Sequence, residues 1–291
     1  MTTDGPEFGP SSRVTDEGDP LVARLRAAGC VFAEDEARLL REAAGSGPQL
    51  EALADRRMAG EPLEYVLGWA EFLGLRIAVE AGVFVPRRRS ELLAREAAAL
   101  AAASRRADDA GAPPVVVDLC CGSGAVGAAV ASAVPGIELH AADVDPLAVA
   151  VARRNVEPFG GRAHEGDLFA ALPQSLRGRV GVIAANAPYV PSAAIALMPP
   201  EARDYEPLAA LDGGADGLDI QRRVAAGAGE WLVPRGHVLI ETSKQQSAVT
   251  AALLAEAGFR TRIVRDPEIG GTVVIGEWEA LSDPTPTIPF L

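Results

Sequence analysis

The chain has 291 residues, and its 40 acidic against 27 basic side chains give a formal net charge of -13. This acidic balance argues against stable binding to nucleic acid or to an anionic membrane, because a basic surface holds such partners. A hydrophobic content of 48% predicts a globular chain, and no apolar stretch is long enough to span a bilayer. Three cysteines are too few for a disulfide framework, so we predict that the protein is located in the reducing cytoplasm.

The N-terminal part of the chain predicts a polar leader followed by short helices. Residues 1–18 are acidic, contain Gly, Pro and Ser, and lack the apolar core of a signal peptide, so we predict a disordered leader. Residues 19–68 hold three runs of helical periodicity, two of which end at a glycine. These runs are short and their apolar faces are narrow, which predicts a small helical domain.

Residues 69–86 predict a β-hairpin that links the helices to the rest of the chain. Apolar Leu75, Ile77 and Val79 alternate with other residues, which is the period of a strand. Ala81-Gly82 then supplies a turn before a second apolar run begins at Val83, so the hairpin turn is predicted there.

Helical and extended segments alternate through residues 87–291. A helix is predicted at about 90–106, and the run 115–119, Val-Val-Val-Asp-Leu, is typical of a buried parallel strand. Further strands are predicted at 138–144, 162–169, 180–190, 236–243 and 271–278, and further helices at 122–134 and 146–156. This order predicts an α/β domain with a doubly wound, Rossmann-like sheet, whose ligands bind beyond the carboxyl ends of the strands.

A glycine-rich loop follows the first of these strands. Its sequence is Asp118-Leu119-Cys120-Cys121-Gly122-Ser123-Gly124, and with Gly127 it spells Gly-x-Gly-x-x-Gly, the pattern of a dinucleotide-binding turn. The glycines permit a tight turn, and the N-terminus of the following helix presents free amide groups to a ligand. A purely structural turn also favours glycine, so the loop by itself does not decide the function.

Carboxylates end the next two strands. Asp143 ends the second strand, where a carboxylate can accept hydrogen bonds from both ribose hydroxyls of a nucleoside. Asp145 competes for this role, but its position favours capping of the next helix. Asp167 ends the third strand, where it can accept from the exocyclic amine of an adenine. Together these carboxylates predict a nucleoside site.

The fourth strand ends in Asn186-Ala187-Pro188-Tyr189. The asparagine carboxamide and the next backbone carbonyl can accept both hydrogens of one planar NH2 group, and the tyrosine ring can stack on a planar amide or base. An ordinary turn at a strand end is the alternative, and the position of the segment opposite the glycine loop disfavours it.

These motifs resemble the class I S-adenosylmethionine-dependent methyltransferases, and within them the protein-(glutamine-N5) methyltransferases that modify peptide chain release factors. The resemblance covers roughly residues 62–278. It is carried by residues 71–75, Val85-Pro86-Arg87 with Ser90-Glu91, the loop 118–124, Asp143 with Pro146 and Asn155, 166–169, 186–189 and, as the most family-specific stretch, 205–219.

The resemblance implies S-adenosylmethionine as the methyl donor and a glutamine side chain of a protein, such as a release factor, as the acceptor. It implies that the cofactor is bound by Asp118, Cys120, Cys121, Gly122, Ser123, Gly124, Asp143, Val144, Asp167, Leu168 and Asn186. The substrate amide is then bound by Asn186, Ala187, Pro188 and Tyr189, of which Asn186 and Tyr189 are catalytic. Residues 19–68 resemble the substrate-recognition domain of the family, and 87–291 its methyltransferase domain.

The implied reaction is an in-line displacement by an amide nitrogen. Such a nitrogen is a poor nucleophile, because its lone pair is delocalised into the carbonyl. Acceptance of both N–H bonds, by the Asn186 side chain and the Ala187 carbonyl, orients the nitrogen and stabilises the positive charge that develops on it. Tyr189 packs against the amide plane, and no general base is required beforehand.

The chain departs from the family pattern at four places. Ala187 replaces the first proline of the usual Asn-Pro-Pro-Tyr, which keeps the carbonyl acceptor but loses rigidity. Cys120 replaces a glycine of the loop, Arg88-Arg89 replace a proline and an acidic residue, and Thr272 replaces an arginine. These departures predict a divergent branch, whose protein substrate need not be a release factor.

Three other functions stay open from the sequence. An adenine-N6 DNA methyltransferase uses the same motif on a flipped base, a nicotinamide-dependent oxidoreductase uses the same glycine pattern, and a non-catalytic cofactor-binding relative is consistent with the departures. Cys120 and Cys121 lack a second pair of ligands, so no metal site is predicted. His140, His164 and His237 are interpreted as ordinary strand or loop histidines. The oligomeric state is left open.

Overall fold

The computed structural model of this chain describes residues 18–107 and 113–279. The chain divides into two compact units, residues 1–67 and 68–291. The predicted disordered leader, apart from Gly18, lies outside the described residues. Within the two described ranges, no helix combines the length and the apolar character that a bilayer crossing requires.

The first unit is built from short helices around a small apolar core. They are α1 (Pro20–Ala27), α2 (Ala33–Ala43), α3 (Gly47–Met58) and α4 (Leu63–Leu67). Asp19 caps α1 by accepting a hydrogen bond from the backbone N of Leu21 (2.9 Å), and Ser46 caps α3 in the same way. Apolar side chains from all four helices form the core. The buried ion pair of Glu36 and Arg57 (Oε2 to Nε, 2.6 Å) joins α2 to α3.

The predicted hairpin is present in the second unit, but its turn lies earlier in the chain than predicted. Its strands are β1 (Trp69–Phe72) and β2 (Leu75–Ala78), which pair antiparallel. Leu73 and Gly74 connect them with φ of 50° and 77°, as in a type I′ turn, whose twist matches that of paired strands. Ala81-Gly82 also form a turn, but it joins no strands, and Val83 lies in a buried irregular segment. The hairpin turn predicted at Ala81-Gly82 is therefore wrong.

A seven-stranded sheet forms the centre of the second unit. Its strands are β3 (Val115–Leu119), β4 (Glu138–Asp143), β5 (Arg162–Glu165), β6 (Val180–Ala185), β7 (Leu232–Glu241), β8 (Phe259–Asp266) and β9 (Gly271–Trp278). The strand order is β5-β4-β3-β6-β7-β9-β8, with β3 to β7 parallel and β9 antiparallel to both of its neighbours. The order reverses direction at β3, so the carboxyl ends of β3 and its neighbours flank the crevice where ligands bind in such sheets.

Helices cover both faces of this sheet. They are α5 (Glu91–Ala107), α6 (Ala125–Ala133), α7 (Pro146–Val156), α8 (Pro200–Tyr205), α9 (Asp219–Ala228) and α10 (Ser247–Glu256). Val116 of β3 belongs to a core cluster with α5, α6 and α7, while Val115 and Val117 belong to a cluster with α9 and α10. Burial on both faces explains why β3 reads as a continuous apolar run. The predicted doubly wound α/β fold is confirmed.

Two histidines pair across neighbouring strands at the edge of the sheet. Nδ1 of His140, on β4, lies 2.8 Å from Nε2 of His164, on β5, and the rings stack. Nε2 of His140 lies 3.2 Å from the Glu138 carboxylate. Two neutral rings satisfy this chain of contacts when His164 donates to His140 and His140 donates to Glu138. Burial lowers the pKa of both histidines, and the charge of Arg162 adds to the effect.

Mild acid is expected to destabilise the fold through this histidine pair. Because the pKa of each ring is lower in the folded state, the unfolded chain binds protons first as the pH falls below the ordinary value of 6.5. The free energy of unfolding then decreases by up to about 1.4 kcal/mol per pH unit for each histidine. Urea unfolding at about pH 7.5 and about pH 5.5 measures this, and His164→Gln, which keeps a donor but cannot titrate, should lose less stability than wild type. Equal losses in the two proteins would contradict the expectation.

Candidate active site

A cavity of about 450 Å³ opens at the carboxyl ends of β3 to β6. The predicted site residues that line it are Asp118, Cys120, Cys121, Gly122, Ser123, Asp143, Val144, Asp167, Leu168, Asn186, Ala187, Pro188 and Tyr189. Gly124 stands behind the wall, where it begins α6 with a φ of 75°. A Cβ at Gly124 would lie 3.1 Å from that of Ala152, so this glycine allows the loop to approach α7 closely.

The glycine loop is fixed to the next strand by an aspartate. The backbone N of Gly122 donates to Oδ2 of Asp143 (2.8 Å), and the backbone N of Asp145 donates to its Oδ1 (3.0 Å). Burial raises the pKa of Asp143. Asp145 also lines the cavity, but its Oδ1 accepts from the backbone N of Leu147 (2.9 Å) and so caps α7. The two aspartates therefore hold the positions that their places in the sequence indicate.

Cys120 occupies a backbone conformation that favours glycine. Its φ is 53°, and a side chain in this left-handed region costs roughly 1–2 kcal/mol. Burial and the charges of Asp143 and Asp118 raise the pKa of the Cys120 thiol, so it stays protonated. The departure from glycine at this position thus places a neutral, strained side chain in the wall of the cavity.

Asp118 leaves one polar atom unsatisfied beside the cavity. The side chain is 1% exposed, and its Oδ2 accepts from the backbone N of Gly127 (2.8 Å). Its Oδ1 is buried and has no hydrogen-bond partner among the described residues. Burial raises the pKa of Asp118 to about 8. A buried carboxyl oxygen without a partner is costly unless a bound group forms a hydrogen bond with it.

Asp167 reaches the cavity from the end of β5 but has a protein partner. Its Oδ2 accepts from a guanidinium nitrogen of Arg223 (2.6 Å), and its side chain is 57% exposed. Leu168 follows with a φ of 49°. A ligand amine at Asp167 would therefore share the carboxylate with Arg223.

Asn186-Ala187-Pro188-Tyr189 directly follows β6 and also lines the cavity. Nδ2 of Asn186 donates to Oγ of Ser90 (3.4 Å), which leaves the carboxamide oxygen to accept from a ligand. The Tyr189 hydroxyl donates to Oε1 of Glu241 (3.1 Å) and accepts from Nε of Arg89 (2.8 Å). Burial raises the pKa of Tyr189 to about 12, so its hydroxyl stays protonated.

The family-specific stretch 205–219 supports this segment through its backbone. Val190 donates from its N to the carbonyl of Leu211 (3.1 Å), and Gly213 donates to the carbonyl of Val190 (2.9 Å). Nε2 of Gln246 joins the two segments by donating to the carbonyls of Tyr189 and Asp216 (3.0 Å each). The stretch therefore determines where Tyr189 lies.

Sequence reasoning missed Glu241 and Gln246, and it did not assign Ser90 or Arg89 to the site. Glu241 ends the apolar run of β7, and its side chain is 1% exposed. Its position at the end of a strand is the same sequence signal that indicated Asp143. Of the departures from the family pattern, Ala187, Cys120 and Arg89 line the cavity. Arg88 and Thr272 do not line it.

The chain is similar to several known methyltransferases. A family model described as the methyltransferase small domain matches residues 79–197. A release factor glutamine methyltransferase of Geobacter sulfurreducens is 38% identical over 209 residues, which are 71% of this chain and 69% of that protein. One of Gloeobacter violaceus is 37% identical over 238 residues, 80% of this chain and 77% of that protein. The crystal structure of a methyltransferase from Pyrococcus furiosus, 17% identical, matches with a TM-score of 0.52 over 81% of this chain and 100% of that chain, and so shares the fold.

Proposed function

Since this chain belongs to the family of release factor glutamine methyltransferases, we propose that it methylates the side-chain amide nitrogen of a glutamine in a peptide chain release factor, with S-adenosylmethionine as the methyl donor. The family resemblance inferred from the motifs is thereby confirmed. The observation that carries the proposal for the site is that the Asn186–Tyr189 segment and the glycine loop face one cavity.

The residues of the cavity fit S-adenosylmethionine. Oδ1 of Asp118 is buried and has no hydrogen-bond partner among the described residues, as expected where a cofactor forms a hydrogen bond with it. Both oxygens of Asp143 already accept from backbone amides, and each has a second lone pair for a ribose hydroxyl. Gly122 allows close approach of the backbone. When bound, S-adenosylmethionine supplies a methyl group on a positively charged sulfur, which is the electrophile of the reaction.

The protein's part in the reaction is to position and polarise the glutamine amide. Oδ1 of Asn186 and the Ala187 carbonyl accept its two N–H bonds, which points the nitrogen lone pair toward the methyl donor. The same acceptors stabilise the positive charge that develops on the nitrogen, and they do so without reorganisation, because Ser90 already holds the carboxamide of Asn186. The Tyr189 ring packs against the amide plane.

Asp143→Asn is expected to weaken cofactor binding about tenfold to hundredfold. The two oxygens of Asp143 accept from two backbone amides and are proposed to accept from the ribose as well, whereas the asparagine side chain has one acceptor oxygen. Asp145→Asn is the matched control and should leave the affinity within about twofold, since asparagine caps a helix as well as aspartate does. Calorimetric titration with S-adenosylhomocysteine measures both. Equal or reversed effects of the two changes would contradict the assignment.

Methyl transfer to a purified release factor tests the proposed function. The chain is incubated with tritiated S-adenosylmethionine and release factor, and mass spectrometry of the labelled protein locates the methyl group. We expect one methyl on a glutamine side chain, and no label when that glutamine is replaced by alanine. Label in double-stranded DNA supplied in place of the release factor would instead favour the adenine-N6 alternative. Binding of NAD in preference to S-adenosylhomocysteine would favour the oxidoreductase.

The roles of the remaining segments are part of this proposal. The helical residues 19–68 are proposed to recognise the protein substrate, and residues 87–291 to form the methyltransferase domain. A cytoplasmic location is proposed because release factors act there. Transfer to a release factor would also answer whether the departures at Cys120, Ala187 and Arg88 abolish activity.

A further inference from the structure

Glu241 lies beneath the proposed amide-binding segment. β7 pairs with β6 in parallel, with Ile240 opposite Ala185, so Glu241, the last residue of β7, is in register with Asn186, which directly follows β6. The Glu241 side chain is 1% exposed. Its Oε1 accepts from the Tyr189 hydroxyl (3.1 Å) and from Nε of Arg89 (3.3 Å). The carboxylate therefore holds the hydroxyl of one of the two residues proposed to be catalytic.

The second oxygen of Glu241 makes no hydrogen bond among the described residues. Oε2 is buried and has no partner there, so Oε1 makes the contacts to both Tyr189 and Arg89. The Tyr189 hydroxyl accepts from Nε of Arg89 (2.8 Å) and donates to Oε1 of Glu241 (3.1 Å). A hydroxyl has one proton and rotates to suit its partners. These two charged partners therefore fix the direction of the Tyr189 O–H bond and, with it, the position of the ring.

We propose that Glu241 is a positioning residue of this site, which holds Tyr189 by its hydroxyl so that the tyrosine ring faces the glutamine amide. This inference rests on the proposed function. It assigns no contact between Glu241 and the substrate or the cofactor, and Glu241 is absent from the wall of the cavity.

The role requires an ionised carboxylate, and Arg89 provides the compensating charge. A carboxylate accepts from the Tyr189 hydroxyl and pairs with the charge of Arg89, whereas a neutral carboxyl group or carboxamide gives Arg89 no counter-charge. Burial raises the pKa of Glu241, and Arg89 is foremost among the groups that oppose this rise, with Ser90 and Tyr189. The Arg89 side chain is 42% exposed, so its charge remains partly solvated. The replacement of the family's acidic residue by Arg89 thus gives the buried carboxylate a cation.

The substitution Glu241→Gln tests the inference. Its carboxamide gives Arg89 no counter-charge and can turn its NH2 group toward the Tyr189 hydroxyl, which then loses its fixed acceptor. We expect kcat for methyl transfer to fall at least about tenfold, with the KM for S-adenosylmethionine within about twofold of wild type. Loss of the partner of Arg89 also lowers stability, so the rates are compared well below the Tm of the variant, and the unchanged KM separates positioning from structural support.

Glu277→Gln on β9 is the matched control, because Glu277 carries the same side chain outside the cavity and pairs with Arg260 and Arg235. It should leave kcat unchanged. Tyr189→Phe removes the hydroxyl that Glu241 holds and should also lower kcat, so this variant is decisive if Glu241→Gln does not fold. Wild-type kcat in Glu241→Gln, or in Tyr189→Phe, overturns the inference alone. A wild-type chain that transfers no methyl group overturns the proposed function and this inference with it.

Discussion

Asn186→Ala is expected to lower kcat for methyl transfer by roughly 100- to 1,000-fold, the usual effect of removing one preorganised polar contact to the charge of a transition state. The carboxamide oxygen is one of the two acceptors proposed for the substrate NH2 group. Its removal leaves the amide nitrogen free to rotate, with its lone pair delocalised into the carbonyl. The other residues implied to bind the cofactor, among them the glycine loop and Asp143, are unchanged in this variant, so the Kd for S-adenosylhomocysteine should stay within about twofold.

The chain's other asparagine provides the contrast to this variant. Oδ1 of Asn155 accepts from the backbone N of Ala78 (2.9 Å), and its Nδ2 donates to the carbonyls of Ala78 (2.9 Å) and Ser123 (2.8 Å). Asn155→Ala leaves these backbone groups unsatisfied and should lower the free energy of unfolding by about 1–3 kcal/mol. Asn186→Ala should leave the Tm unchanged. Comparable turnover in wild type and Asn186→Ala would remove Asn186 from the mechanism.

The polar residues at the strand ends could be predicted from the sequence because each is a local signal. Asp118, Asp143 and Asn186 each stand at or directly after the end of an apolar strand run, and parallel strands bring such ends to one edge of the sheet. The capping role of Asp145 was equally local, since its partner Leu147 is two residues away. The periodicity of the strands and the α/β class of the fold were enough to predict the positions of these residues.

The contacts behind the cavity could not be predicted in the same way. The pairing of Tyr189 with Glu241 depends on β7 lying next to β6, and the sequence contains no signal for that strand order. Arg223 reaches Asp167 from α9, a helix whose position depends on packing against the sheet. The hairpin turn was misplaced because the Ala81-Gly82 signal is a real turn, and periodicity alone does not show which turn joins paired strands.

Gly217→Ala is expected to lower both the stability and the activity of the chain. Gly217 has a φ of 78°, and a Cβ there would overlap the carbonyl oxygen of Tyr189 and lie 2.5 Å from Nε2 of Gln246. Neither group can move without breaking the hydrogen bond between them, which fixes the backbone at Tyr189. We expect the free energy of unfolding to fall by about 3 kcal/mol, the sum of a left-handed side chain and of overpacking.

Gly178→Ala separates the two parts of this effect. Gly178 has a φ of 69°, but a Cβ there would meet nothing within 4 Å, and the residue does not line the cavity. Its substitution should therefore cost only the left-handed strain, about 1 kcal/mol, and leave kcat unchanged. Urea unfolding and initial rates of methyl transfer measure both variants. If Gly217→Ala lost no more stability than Gly178→Ala and had the kcat of wild type, the stretch 205–219 would not position Tyr189. The role of this stretch in the site would then have to be direct contact with the protein substrate.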